Sequence, residues 1–189
     1  MKWRDVSTLS VMLDLKTNPR LRRLFWIAHY RVTIGFVVGA VAFWLSAPTR
    51  SSLALGALLA ACGEAVRVWA AGHLRKGEEV TRSGPYRFAR HPLYMGSFVI
   101  GVGFAVAAAD VVVAVLVLGY LSVTLWAAIR FEEATLRSAF GDEFERSDSD
   151  TGSASARRFS LSRMIQNGEH RSLQGFAAAL LLLVMKALF

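Results

Sequence analysis

A segment rich in glycine, proline, arginine and histidine is the part of the sequence best suited to bind an anion. It reads Gly84-Pro85-Tyr86-Arg87-Phe88-Ala89-Arg90-His91-Pro92-Leu93-Tyr94-Met95-Gly96, and its prolines and glycines predict a turn. A helix that starts near Pro92 would add free backbone N–H groups and the positive end of its dipole. We therefore expect Arg90 and His91 to bind an anionic group at a water–lipid boundary. The alternative is an arginine anchor with Tyr86 and Tyr94 in an interfacial aromatic belt.

Two adjacent acidic residues, Glu132 and Glu133, are the second candidate. They lie in Arg130-Phe131-Glu132-Glu133, where a long apolar stretch ends. Neighbouring side chains on a helix point about 100° apart, so one of the two carboxylates can face a pocket and accept hydrogen bonds from hydroxyl or amino groups. A solvated, charged helix end is the alternative. If the intervening chain is a helical hairpin, both candidate segments return to the same face of the membrane.

A third pair of charges, Glu64 and Arg67, lies within an apolar stretch. Residues three apart meet on one face of a helix, and an ionisable residue within a span is a functional candidate by default. A mutually neutralised pair that packs helices is the alternative. The histidines have no ligand spacing with one another and Cys62 is the one cysteine, so we expect no metal site.

The composition predicts that these residues are held by membrane helices. Of the 189 residues, 54% are hydrophobic and 19% are charged, compared with about 45–50% and about 25% in soluble domains. A helix needs about 20 mostly apolar residues to cross a bilayer. Such stretches predict an all-α polytopic bundle of about five spans: Phe25–Ala47, Leu53–Gly72, two within Leu93–Ile129 that meet at a turn at Ala109-Asp110, and Ser172–Phe189.

The basic residues orient these spans. Most of the 22 lysines and arginines fall before Leu24, in His73–Pro92 or in Arg130–Arg171, which five spans place on one side of the membrane. The positive-inside rule makes that side and the N-terminus cytoplasmic, in what we expect to be a bacterial inner membrane. We predict one membrane domain over 1–189: a cytoplasmic arm (1–24), four spans (25–129), a cytoplasmic helix and linker (130–171) and a last span (172–189). Membrane insertion accounts for the net charge of +8 without a nucleic-acid partner.

The Gly-Pro-Tyr…Arg-His-Pro-Leu-Tyr-x-Gly string, followed at this distance by Glu-Glu-x-x-Leu-x-x-x-Phe-Gly, resembles the isoprenylcysteine carboxyl methyltransferase and phospholipid methyltransferase superfamily. The resemblance covers about Gly63–Phe144 and includes Gly63-x-x-x-Arg67. It implies a helical membrane enzyme that uses S-adenosylmethionine without a Rossmann domain. It also implies that the cofactor lies at the cytosolic face, held by Tyr86, Arg90, His91, Pro92, Tyr94, Glu132 and Glu133.

On this basis we expect a methyltransferase that acts on a lipid-like or isoprenoid acceptor through a carboxylate, an amine or a thiol. The donor methyl is already activated, so the protein chiefly aligns the reactants. Arg90 and His91 would take the donor's carboxylate, Glu132 or Glu133 its ribose or amino group, and Arg67 an acidic group of the acceptor. His91 or Glu133 would act as base for an amine. Beyond Glu143 the chain departs from the family pattern, with Phe144 where a tyrosine is common, so the acceptor stays open.

Two other functions fit parts of the pattern. A sterol-type NADPH-dependent membrane reductase also places an arginine-histidine pair near a tyrosine at a membrane boundary. That family has an asparagine where this chain has Leu93, and it lacks the Gly-Pro-Tyr lead. A non-catalytic membrane scaffold is favoured by the altered segment after Phe144. Cofactor identity distinguishes the reductase from the methyltransferase, and labelled product from a methyl-labelled donor distinguishes the scaffold from the enzyme.

Overall fold

A computed structural model of the chain describes residues 19–75, 81–140 and 158–188. Within these ranges every regular element is a helix, so the all-α prediction is confirmed. The elements are α1 (Pro19–Leu45), α2 (Arg50–His73), a 3-10 turn (Gly84–Arg87), α3 (Pro92–Ala108), α4 (Val111–Phe140), α5 (Leu161–Gln166) and α6 (Glu169–Leu188). Most of the predicted N-terminal arm, the predicted linker and Phe144 lie outside the described residues.

Four of these helices, α1, α2, α4 and α6, are long and apolar enough to cross a membrane, and α3 is a shorter apolar helix of 17 residues. They occupy the positions of the five predicted spans. The charged stretch after Arg130 is the end of α4, which continues unbroken to Phe140. Successive long helices run in opposite directions, so His73, Pro92 and Glu169 lie at one end of the bundle, here called the Pro92 end.

The turn predicted at Ala109-Asp110 joins α3 to α4. Ala109 ends α3 in the left-handed conformation, with φ of 51°. The Asp110 carboxylate accepts a hydrogen bond from the backbone N–H of Val113 at 2.9 Å, which caps the start of α4. At the same end of the bundle, Lys186 on α6 donates hydrogen bonds to the carbonyls of Phe43 and Trp44 at the end of α1. Because only Ala109 and Asp110 separate α3 from α4, the two helices form an antiparallel pair.

Small residues bring α2 and α3 into close contact. A Cβ built on Gly103 would lie 2.5 Å from the backbone nitrogen of Ala60 and 2.6 Å from the carbonyl oxygen of Gly56, so no side chain fits there. Gly63 and Gly96 approach each other in the same way nearer the Pro92 end. Such small-residue contacts are typical of helix pairs in membranes. The close α2–α3 contact fixes the relative positions of the charged residues on the two helices.

Candidate active site

The Gly-Pro-Tyr segment forms the 3-10 turn that leads into α3. Gly84 has φ of 60°, and a Cβ there would also lie 2.6 Å from Cγ of the His73 ring. Pro85 is buried, and Pro92 is the first residue of α3, a position where a missing N–H costs nothing. His91 is the N-cap residue, but its side chain makes no capping hydrogen bond. The His91 ring is therefore available for contacts with other helices.

His91 contacts the acidic pair at the end of α4. Its Nε2 lies 3.3 Å from Oε1 of Glu133, and each of these two side chains is 15% exposed. The other carboxylate oxygen of Glu133 lies 3.6 Å from Nη1 of Arg130, one turn earlier on α4. This side-chain contact joins the two sequence motifs. Arg90, the residue before His91, has an exposed side chain.

Glu132 lies near two tyrosines of the first motif. Tyr94 interacts with the Glu132 carboxylate and with Arg31 on α1. The negative charge of Glu132 also acts on Tyr86. Burial raises the pKa of the Tyr86 hydroxyl, and the Glu132 charge raises it further. The adjacent carboxylates therefore have different partners: Glu132 interacts with Tyr94 and Glu133 with His91.

Arg67 lies in a second cluster of charges, on α2. Its Nε lies 2.6 Å from Oε1 of Glu169 at the start of α6, and its Nη1 donates to the hydroxyl of Ser97 on α3. Glu64, the partner that the spacing predicted, is farther away at 3.9 Å, and it accepts a hydrogen bond from Ser172 at 3.2 Å. The charge of Glu169 also contributes to the raised pKa of Tyr86, and Ser97 lies one helical turn from Tyr94 on α3, so the two clusters are neighbours.

Sequence reasoning missed two residues of this site. Arg31 carried a usable signal, because an arginine within an apolar span is a functional candidate by default. Glu169 carried only a signal for the start of a helix, since an acidic residue is favourable in the first turn. Its contact with Arg67 spans 102 residues of sequence, which no local pattern indicates.

The cluster at the Pro92 end combines carboxylates, hydroxyls and cations, which suits a ligand with both charged and hydroxyl groups. Within the described ranges, no three His, Cys, Asp or Glu side chains group in a way that could hold a metal ion. An open apolar groove lined by Phe43, Trp44, Met185 and Lys186 lies at the other end of the bundle and contains none of the predicted site residues.

The fold and these residues define a helical integral membrane protein with an ionisable site at one end of its bundle. Residues 30–143 match the family described as phospholipid methyltransferase, and the chain belongs to this family. The resemblance inferred from the two motifs is therefore confirmed.

Two curated relatives match part of the chain. It is 34% identical to the cobalt-zinc-cadmium resistance protein CzcN of Cupriavidus metallidurans over 126 residues, which cover 60% of this chain and 56% of that one. It is 32% identical to the nickel-cobalt-cadmium resistance protein NccN of Alcaligenes xylosoxydans xylosoxydans over 99 residues, or 51% of this chain and 45% of that one. The chain thus spans about half the length of the curated relatives it matches. No solved structure matches it.

Proposed function

We propose that the protein is a methyltransferase that transfers the methyl group of S-adenosylmethionine to a lipid-like or isoprenoid acceptor at the membrane. The observation that carries this proposal is the contact of His91 Nε2 with Glu133 Oε1 at 3.3 Å. It joins the two motifs at the Pro92 end, in a chain that belongs to a family of membrane methyltransferases. The names of the two curated relatives concern metal resistance and indicate no acceptor.

The chemistry of the residues at the Pro92 end fits S-adenosylmethionine. Glu132 and Glu133 are carboxylates that can accept hydrogen bonds from ribose hydroxyls and an amino group. Arg90 and His91 can bind a carboxylate, and the Tyr86 and Tyr94 rings can pack against a cation. Pro92 would hold the turn that presents these residues. When bound, the cofactor supplies a methyl group that is already activated on a sulfonium.

His91 and Glu133 would act as a base and its orienting partner where the acceptor is an amine. When Nε2 of His91 donates to the Glu133 carboxylate, Nδ1 is the nitrogen that can accept the proton of the amine. The Glu133 carboxylate would fix the orientation of the ring and stabilise its protonated form, while Arg130 steadies the carboxylate at 3.6 Å. A carboxylate or thiolate acceptor needs no such proton transfer, so His91 would then serve in binding alone.

Arg67 would act on the acceptor side of the site. Its side chain extends from α2 toward α3 and α6, where Ser97 and Glu169 already contact its guanidinium. We therefore propose a positioning role for Arg67 in place of direct contact with an acidic group of the acceptor. The acceptor would enter sideways from the bilayer, between helices.

The orientation in the membrane is part of the proposal. The Pro92 end carries the described arginines of the 3-10 turn and its flanks, together with Arg130, whereas Arg50 and Lys186 lie at the other end. The positive-inside rule then supports a cytoplasmic site and a cytoplasmic N-terminus, in a bacterial inner membrane. We propose that the chain forms one membrane domain over 1–189.

Calorimetric titration of the detergent-purified full chain with S-adenosylmethionine tests the proposal. We expect binding by the wild type and a loss of roughly tenfold or more in affinity for His91→Ala and for Glu133→Ala, because each substitution removes a hydrogen-bonding side chain of the proposed site. Arg50→Ala, at the other end of the bundle, is the matched control and should bind normally. Unchanged affinity in both site variants would refute the site assignment.

Two further readouts separate the alternative functions. Binding of NADPH without binding of S-adenosylmethionine would favour a reductase. Membranes incubated with a methyl-labelled donor and lipid extract should yield a labelled lipid. Absence of label across carboxylate, amine and thiol acceptors would favour a non-catalytic scaffold.

A further inference from the structure

The two C-terminal helices dock on the end of α2, although they lie beyond the residues that match the family. The Asn167 side chain donates to the carbonyls of Ala71 and Leu74 at 2.8 and 2.9 Å. The backbone N–H of Ser160 donates to the carbonyl of Gly72 at 3.1 Å. These bonds satisfy carbonyls that the end of α2 leaves unpaired. They also fix α6 where its first residue, Glu169, reaches the Arg67 side chain.

Among the described residues, the cluster formed by Arg67, Glu64 and Glu169 has no surplus positive charge. Arg67 lies 2.6 Å from Glu169 and 3.9 Å from Glu64, so the three charges sum to −1 with both carboxylates ionised and to zero with one protonated. Glu64 and Glu169 are only 4% and 5% exposed, so water screens these charges little. An anionic group that approached Arg67 would meet at least one carboxylate for each positive charge.

The hydrogen-bonding groups of the cluster also disfavour an anion. Oε1 of Glu64 is buried and has no hydrogen-bond partner among the described residues. An ionised carboxylate can only accept hydrogen bonds, as can the oxygens of a phosphate diester or of another carboxylate. With Glu64 ionised, a ligand group that completes this cluster must therefore bring a donor.

We propose that Glu169 is a specificity-determining residue: it keeps Arg67 from binding an anionic head group and restricts the acceptor to neutral or cationic ones. The inference rests on the proposed function, because the acceptor is taken to enter beside Arg67. It also gives the C-terminal helices a role in the site, since α6 supplies the residue that selects the acceptor.

Two probes with the same chain, monododecyl phosphate and dodecanol, test the proposal on the full chain. Their affinities are measured by calorimetry at pH 7.5 in discs of phosphatidylcholine, with empty discs subtracted. The wild type should bind the phosphate no more tightly than the alcohol. Glu169→Gln should bind the phosphate about tenfold more tightly or better, with little change for the alcohol, because one close negative charge is removed. The double variant Arg67→Gln/Glu169→Gln should lose the gain.

Arg171→Gln, an exposed position on α6, is the control for a change of charge outside the cluster and should behave as the wild type. If Glu169→Gln does not fold, Glu64→Gln decides, with a smaller gain expected because Glu64 is farther from Arg67. A wild type that already prefers the phosphate, or a folded variant without the gain, overturns the proposal. Titration of the same discs with S-adenosylmethionine measures cofactor binding and so tests the proposed function separately, because neither probe needs the cofactor in order to bind.

Discussion

Replacing Gly103 with alanine tests whether close helix contact holds the site in place. A Cβ at this position would lie 2.5 Å from the Ala60 nitrogen and 2.6 Å from the Gly56 carbonyl oxygen. These are backbone atoms, which cannot rotate away as the tip of a side chain can. The contact can be relieved only if α2 and α3 separate. Overpacking of this kind costs about 1–3 kcal/mol, which a gain in helix propensity of about 1 kcal/mol partly offsets.

Gly119→Ala is the matched control, because a Cβ at Gly119 on α4 would meet nothing within 4 Å. The propensity gain is the same for both substitutions, so it cancels in the comparison and leaves the packing cost. We expect Gly119→Ala to raise the free energy of unfolding by up to about 1 kcal/mol. Gly103→Ala should fall about 1–3 kcal/mol below it.

The measurement is the free energy of unfolding in mixed micelles, obtained by titrating the purified protein with a denaturing detergent and following helix content by circular dichroism. Equal changes in the free energy of unfolding for the two variants would refute the reasoning, since they would mean that a Cβ at Gly103 causes no overpacking between α2 and α3. A difference of the expected sign, together with weakened ligand binding in Gly103→Ala alone, would tie the contact to the site.

Two further substitutions test single features of the fold and the site. Ala109→Gly should stabilise the protein by about 1 kcal/mol, because glycine adopts the left-handed conformation of this residue without strain; a lower midpoint in the same detergent titration would contradict this. The Tyr86 hydroxyl has a pKa above its ordinary value of 10.0 in the folded state. Its contribution to stability is therefore complete below pH 10.0 and declines as the pH rises above it. Tyr86→Phe should lose less stability than the wild type between pH 9 and pH 11, and parallel losses would show that Tyr86 does not contribute.

The helices follow from the sequence because their signals are local. Apolar stretches of sufficient length mark four long helices, and the one charge within Leu93–Ile129 marks the turn at Asp110. The proximity of His91 and Glu133 also follows, since an antiparallel pair of helices must return both motifs to one end. The partner of Arg67 does not follow, because Glu169 reaches it only through the docking of α6 on α2. Local spacing favoured Glu64, which is the more distant carboxylate.

The last glycine of the first motif connects the packing of the helices to the charges of the site. A Cβ on Gly96 would lie 2.6 Å from Cγ of Arg67 and 2.7 Å from the carbonyl oxygen of Gly63. Any side chain at position 96 would therefore displace the Arg67 stem, whose guanidinium donates to Ser97, the next residue of α3. His91, five residues earlier, is the N-cap of α3, so its position also depends on the close approach of α2 and α3. Gly96 thus serves both clusters at once: it lets α3 present His91 to Glu133 and leaves the space in which Arg67 meets Glu169.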